Sequence, residues 1–383
     1  MVAHSNSLSQ PQPASGQGKA ESLLAWYDCH ARILPWRVSP SLGQQGKTAD
    51  PYRVWLSEVM LQQTNVQAVK PYFEAFTLRW PSVDRLAAAP AEEIMKMWAG
   101  LGYYSRARNL HACSKEIISR FGGLFPADEA SLITLPGVGV YTAAAISAIA
   151  FGRRAVVVDG NVERVITRLH ALDEPLPQAR PQIRRMADQL TPAHRPGDFA
   201  QAMMDLGATL CTPRKPDCGL CPFQGVCAAQ KIGTPEAYPR KIPKPAKITR
   251  FGVAFVALRK DGALLVRTRP PKGLLGGMTE IPGTDWTQQT ITDEPLLASP
   301  LPAHWVMSGT TVRHVFTHFP LELRVYAALI PTETPAPLGM RWISANEIAG
   351  EAFPTLFRKV IEAACIPSVG NLTPRGETPA KLR

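Results

Sequence analysis

Four cysteines, Cys211, Cys218, Cys221 and Cys227, follow the spacing C-x6-C-x2-C-x5-C. Four thiolates in one short loop, with Pro213, Pro216, Gly219 and Pro222 between them, make a ligand set for one tetrahedral metal ion or one cubane cluster. Thiolates suit zinc and iron–sulfur equally, so the metal stays open at this point. The remaining cysteines (Cys29, Cys113, Cys365) are scattered, which disfavours a disulfide framework. Two carboxylates draw notice next. Glu58 sits in Val54-Trp55-Leu56-Ser57-Glu58-Val59-Met60-Leu61, with Val54, Trp55, Leu61 and Gln62 at helical neighbour positions. A carboxyl group desolvated among apolar side chains is pushed towards its neutral form, which suits a general acid; the plainer alternative is a structural Glu paired with an Arg. Asp159 ends the apolar run Ala155–Val158 and precedes Gly160-Asn161. It reads as a helix cap, and an ionised carboxylate there gains about 0.3–1 kcal/mol from the helix dipole. One neutral acid and one anion form the pair that glycosidic bond cleavage requires.

The elements that must hold these groups can be read from periodicity and breakers. Residues 1–20, rich in Ser, Gln, Pro and Gly, read as a disordered tail. Residues 21–230 read as almost wholly helical, with runs at Tyr52–Gln63, Ala91–Trp98, Arg106–Phe121, Val140–Phe151 and Asn161–His170 separated by Pro and Gly. Leu135-Pro136-Gly137-Val138-Gly139 places two glycines at the mouth of an apolar helix. Gly137 and Gly139 either make a tight helix–helix connection or let backbone N–H groups meet a phosphate. Residues 231–250 lack an apolar period and read as a basic, Pro-rich linker. Beyond it, Phe251–Arg259 and Ala263–Arg269 flank Lys260-Asp261-Gly262 as a hairpin, Leu321–Leu329 reads as a strand and Asn346–Ala364 as a helix. Residues 251–365 therefore form an α+β domain and residues 366–383 a tail.

The 383 residues exceed one ordinary core, and 45% hydrophobic with 19% charged side chains is a globular balance. The longest apolar stretch, Val138–Phe151, is too short to span a bilayer, and no signal-peptide layout is present, so neither a membrane nor a secreted protein is expected. Lys and Arg number 42 against 31 Asp and Glu, a net +11, and residues 231–250 alone carry six basic side chains against one Glu. Such a chain favours a polyanionic partner, nucleic acid ahead of membrane.

Tyr52-Arg53-Val54-Trp55-Leu56-Ser57-Glu58-Val59-Met60-Leu61-Gln62-Gln63-Thr64, the Leu-Pro-Gly-Val-Gly hairpin, Val158-Asp159-Gly160-Asn161-Val162 and the four-cysteine loop occur together and in order. Over about residues 21–365 the chain resembles the helix–hairpin–helix DNA glycosylase superfamily, and specifically the adenine DNA glycosylases of the MutY type. The resemblance implies a multi-domain protein: an all-α helix–hairpin–helix glycosylase domain with a [4Fe–4S] cluster loop, then a C-terminal Nudix-like α+β domain. It implies removal of adenine mispaired with 8-oxoguanine or guanine in double-stranded DNA, by a monomer. For a bacterial source it implies a cytoplasmic, nucleoid-associated enzyme.

The same resemblance assigns roles. Glu58 matches the acid that protonates adenine, Asp159 the carboxylate that stabilises the sugar cation, and Asn161 a residue that orients Asp159 and water. Tyr141 stands where bifunctional relatives carry a Schiff-base lysine, and a phenol cannot form that imine, so the chain is expected to be monofunctional. Trp36, Arg37 and Gln201 match the adenine pocket; Gln63 and Tyr103 match the plugs that fill the base stack after flipping. Phe316-Thr317-His318 matches a Phe-Ser-His loop that contacts 8-oxoguanine, with Thr317 keeping the hydroxyl and adding a methyl. Gly276–Gly283 leads to Asp285 and not to the glutamate run a Nudix hydrolase needs for magnesium, so the second domain is expected to bind, not hydrolyse. Asn65 and Glu163 depart from the pattern. Two rival functions remain: a bifunctional endonuclease III-like enzyme, and a non-catalytic iron–sulfur protein that marks lesions.

Overall fold

Helix Pro51–Leu61 starts where Asp50 accepts a hydrogen bond from the Tyr52 amide (2.9 Å) with proline at the first turn, which needs no N–H there. It stops at Gln62, because Gln63 adopts a left-handed φ of +57°. Asn65 then caps helix Val66–Arg79 by accepting from the Ala68 amide (2.9 Å), so this departure from the family pattern has a local structural use. The computed structural model describes residues 16–243, 245–289 and 295–364. Among the described residues no helix is long and apolar enough to cross a membrane.

The chain divides into two units: residues up to Ala87 together with Ala112–Pro243, and Ala88–His111 together with the residues from Lys244 onward. The first unit is all-α. Its core joins Leu23 and Tyr27 of helix Gly16–His30 to Val162, Ile166 and Leu169 of helix Gly160–His170 and to Phe199, Met203 and Leu206 of helix Pro196–Thr209. The apolar stretch expected near Val140 is the helix Val140–Phe151, buried from Thr142 to Ala148. Its alanines allow close approach: a Cβ on Gly197 would stand 2.5 Å from the Ala148 carbonyl oxygen.

The second unit carries a six-stranded sheet of β1 (Arg250–Arg259), β2 (Leu264–Thr268), β3 (Thr279–Glu280), β4 (Val306–Val315), β5 (Pro320–Ile330) and β6 (Met340–Ile343). The order is β3-β2-β1-β5-β4, with β6 also on β2 and the β1–β5 pair parallel. Alternation along β1 sends Ala254 and Val256 to the core that includes Leu356, Phe357 and Val360 of helix Thr355–Ala363. Val253, Phe255 and Ala257 face Leu301 and Trp305 on the other side.

Four readings of the sequence need adjustment. Residues 88–111 group with the second unit, because Lys96 pairs with Glu351 (3.5 Å), Tyr103 bonds Thr317 and Arg108 donates to the Gly276 carbonyl. The expected linker 231–250 is folded over its first half: Tyr238 is buried and the Leu176 amide donates to the Arg240 carbonyl (2.9 Å). The expected helix 346–364 is two helices, Ala345–Ile348 and Thr355–Ala363. Between them Glu351 turns inward to accept from Thr279 and Arg341 (2.6 Å each), and Pro354 cannot continue a helix from before it. Residues 16–20 belong to helix Gly16–His30, while the rest of the expected N-terminal tail and the tail 366–383 lie outside the described residues.

Candidate active site and cluster loop

A cavity of about 830 Å³ opens in the first unit. Helix Pro51–Leu61 lines it with Val54, Ser57, Glu58 and Leu61, the i, i+3, i+4, i+7 face of that helix. Helix Pro196–Thr209 adds Gln201, Met204 and Ala208 at the same kind of spacing. Trp36, Arg37, Gln63, Tyr141, Asp159 and Asn161 line the same cavity.

Glu58 is 6% exposed and accepts a 2.6 Å hydrogen bond at Oε2 from the Tyr141 hydroxyl. Burial pushes its pKa up from 4.5 to about 7; the Tyr141 bond pulls it down, Asp159 pushes it up and Arg37 pulls it down. Burial beside Glu58 and Asp159 also raises the Tyr141 phenol well above its ordinary value. Asp159 caps helix Gly160–His170. Its Oδ1 accepts from the Val162 amide (2.7 Å) and its Oδ2 from Asn161 Nδ2 (2.8 Å). Both oxygens thus face N–H donors at the positive end of a helix, a setting built for negative charge.

Several residues that the sequence did not single out hold this arrangement. Arg164 donates to Asn161 Oδ1 (2.8 Å), to the Gly207 carbonyl (2.6 Å) and to the Cys211 carbonyl (2.7 Å). Gly207 is required here, since a Cβ would stand 2.6 Å from Asn161 Cβ. Asp205, with a fully buried side chain, accepts from Arg32 Nε (2.7 Å) and Arg37 Nη1 (2.8 Å) and so absorbs both guanidinium groups at the cavity edge. A lone acid inside the apolar run Gln201–Gly207 was the available signal for it. Trp36 is buried and meets Phe73 edge-on at 5.2 Å, so it serves core and cavity at once. Gly137 has φ +75°, and Gly139 caps helix Val140–Phe151 with no side-chain bond to its first amides.

The four loop cysteines line one small cavity with Arg168 and Phe223. None of the four is in a disulfide, so each Sγ is available as a ligand, and a cationic cluster core would keep it a thiolate. Among the described residues no three acidic, cysteine or histidine side chains converge as they would on a single ion. Arg168, 2% exposed, donates to Cys211 Sγ (3.3 Å) and to the carbonyls of Thr212 (2.7 Å) and Pro213 (3.1 Å), and Cys227 Sγ lies 3.3 Å from the Arg168 carbonyl oxygen. The donor set and its buried guanidinium fit an iron–sulfur group.

Tyr103, Phe316, Thr317 and His318 belong to the second unit and line a separate cavity of about 320 Å³. Thr317 and His318 are exposed; Phe316 stacks on Trp286 at 5.6 Å and meets His314 at 4.6 Å. Glu280, in the stretch where a Nudix hydrolase would spend glutamates on metal, is buried and paired with Arg267 and Arg269. Glu163 is taken up by Arg180 at 2.9 Å.

Residues 56–190 match the HhH-GPD superfamily of base excision DNA repair proteins, residues 211–227 the iron–sulfur binding domain of endonuclease III, and residues 253–363 the NUDIX domain. The chain is 36% identical to the adenine DNA glycosylase of Homo sapiens over 88% of its own length and 72% of that protein. It is 35% identical to the mouse enzyme over 88% and 76%, and 40% identical to that of Mycolicibacterium smegmatis over 56% and 70%. A thermostable thymine-DNA glycosylase structure aligns with 56% of this chain and 95% of its own at 29% identity, TM-score 0.49. The cysteine loop holds a [4Fe–4S] cluster.

Proposed function

The chain belongs to the adenine DNA glycosylases, and from that membership we infer how its own residues remove adenine from DNA and which mispair they serve. One observation carries the chemistry: a buried acid with its pKa near neutrality and a helix-capping carboxylate share one cavity. Adenine extruded from the duplex enters that cavity beside Trp36, Arg37 and Gln201. Glu58, in its protonated form, gives its proton to a ring nitrogen, while the Tyr141 hydroxyl holds Oε2 and leaves Oε1 to face the base. The N-glycosidic electrons leave with the adenine, the sugar becomes cationic, and Asp159 stabilises it. Asn161 orients Asp159. A water adds to the sugar and releases a proton, leaving an abasic site. Tyr141 offers a phenol that is already engaged with Glu58, so no lysine imine forms at that position.

Cys211, Cys218, Cys221 and Cys227 would hold the cluster, which would supply a fixed, charged scaffold for the loop 211–227. The hairpin glycines Gly137 and Gly139 present backbone amides to DNA phosphate. Phe316, Thr317 and His318 read 8-oxoguanine opposite the adenine, and Gln63 and Tyr103 fill the space left in the stack. Thr317 keeps the hydroxyl that can meet the N7–H or O8 of the oxidised base. The support for this part is the cavity that joins Tyr103 to the Phe316–His318 loop and the bond between Tyr103 and Thr317.

The test is a glycosylase assay on duplexes that differ only in the base opposite adenine, with borohydride present in parallel. Faster adenine release opposite 8-oxoguanine than opposite guanine or thymine, and no trapped adduct, is the expected result. Equal rates opposite all three would remove the 8-oxoguanine reading. A trapped adduct would replace the monofunctional mechanism with a lyase.

A further inference from the structure

We infer that Arg106 is a positioning residue for Tyr103, holding in place the turn from which that side chain projects. The turn joins helix Ala91–Trp98 to helix Ser105–Phe121. Gly100 and Gly102 take φ +106° and +71°, and Tyr103 follows at +47°, a left-handed conformation unfavourable for a residue with a Cβ. Something must hold it there.

Arg106 is 6% exposed, and its Nη2 donates to the carbonyls of both Leu101 and Gly102 (3.1 Å each). Trp98 Nε1 donates to the same Gly102 carbonyl (3.1 Å), and the Arg106 amide donates to the Tyr103 carbonyl (2.9 Å). The guanidinium carbon lies 5.2 Å from the ring of the buried Trp98 and 5.6 Å from that of Tyr103, which is 42% exposed. It therefore acts as a plate between a core indole and a surface phenol, while its edge gathers the carbonyls of the turn. The far end of Tyr103 is fixed separately, by its hydroxyl at 2.9 Å from Thr317 Oγ1. Tyr103 is thus held at its root and at its tip before any DNA arrives, so entering the base stack loses less side-chain freedom. A lysine cannot reproduce this, because an ammonium lacks the planar face and the fixed fork.

This rests on the reading of Tyr103 as a residue that enters the duplex, and the experiment separates the two. The preference for 8-oxoguanine over guanine is measured as a ratio of dissociation constants, on duplexes with a non-hydrolysable adenine analogue in the opposite strand. The full-length protein is compared with Tyr103→Ala, Arg106→Lys and the double variant. Tyr103→Ala and Arg106→Lys are each expected to reduce the preference by about tenfold, and Arg106→Lys to add under about twofold in the Tyr103→Ala background. Losses that multiply in the double variant would overturn the inference, because Arg106 would then act independently of Tyr103. An undiminished preference in Tyr103→Ala would instead overturn the duplex-entry reading. Should Arg106→Lys lower the unfolding midpoint, Gly102→Ala probes the same turn. Its φ of +71° penalises a Cβ that meets nothing within 4 Å, so the cost falls on the turn alone. The same non-additivity with Tyr103→Ala is expected, and multiplied losses there count against the inference equally.

Discussion

Replacing Glu58 by Gln should make the protein inactive and, at neutral pH, more stable. Glu58 titrates from an ordinary 4.5 up to about 7 because it is buried. For an acid with a raised folded-state pKa, stability is fully present below the unfolded value and is lost as pH rises through the folded one. Each unit is worth about 1.4 kcal/mol, so by pH 7–8 the ionised carboxylate costs the fold about 3 kcal/mol, and near pH 5 under about 1 kcal/mol. Gln keeps the size and still accepts from the Tyr141 hydroxyl, but has no charge to bury. The first unit should therefore melt roughly 6–12 °C higher in Glu58→Gln than in the wild type near pH 8, with the gap nearly closing near pH 5. Single-turnover adenine release should fall by about 10²-fold or more, while affinity for the mispair is kept. The assay is a pair of thermal melts across pH with matched iron content, beside a quenched-flow excision assay. A melting difference that does not change with pH would show that Glu58 is not held neutral by burial, and the acid role would lose its basis.

Other outcomes follow from the same geometry. Tyr141→Phe removes the hydrogen bond that lowers the Glu58 pKa, so the alkaline limb of the excision rate should move to higher pH by up to about one unit; a limb that stays or moves down contradicts this. Arg164→Met frees Asn161 Oδ1 and the carbonyls of Gly207 and Cys211 and should slow single-turnover excision by roughly 10–100-fold with little change in DNA affinity, whereas a loss confined to affinity would place Arg164 at the DNA instead. Changing Lys241, Lys244 and Lys247 to Ala should flatten the plot of log affinity against log salt by up to about 0.9 per lost phosphate contact, and an unchanged slope would free the segment 231–250 from any role in the grip on DNA.

How much of the site was legible beforehand depended on how far along the chain each cause lay. The cysteine loop, the Val54–Leu61 helical face and the Asp159 cap are local patterns, and the structure contains each of them. The grouping of residues 88–111 with the second unit was hidden, because its contacts lie at sequence separations such as that between Tyr103 and Thr317. Strands β3 and β6 are two and four residues long, too short for alternation to speak. The most instructive gap concerns Glu58, for which a structural pairing with Arg was the open alternative. An arginine does stand at the cavity, but Arg37 donates to Asp205, on a helix 168 positions further along, and Arg32 donates to the same carboxylate. Asp205 therefore engages both guanidinium groups, and Arg37 lowers the Glu58 pKa by less than burial raises it. Were Arg37 free to ion-pair with Glu58, its charge would hold the carboxyl ionised at neutral pH and no proton would be available for a purine. The neutral acid thus depends on a second, buried acid that takes no part in the chemistry, and periodicity around Glu58 could not reveal that dependence.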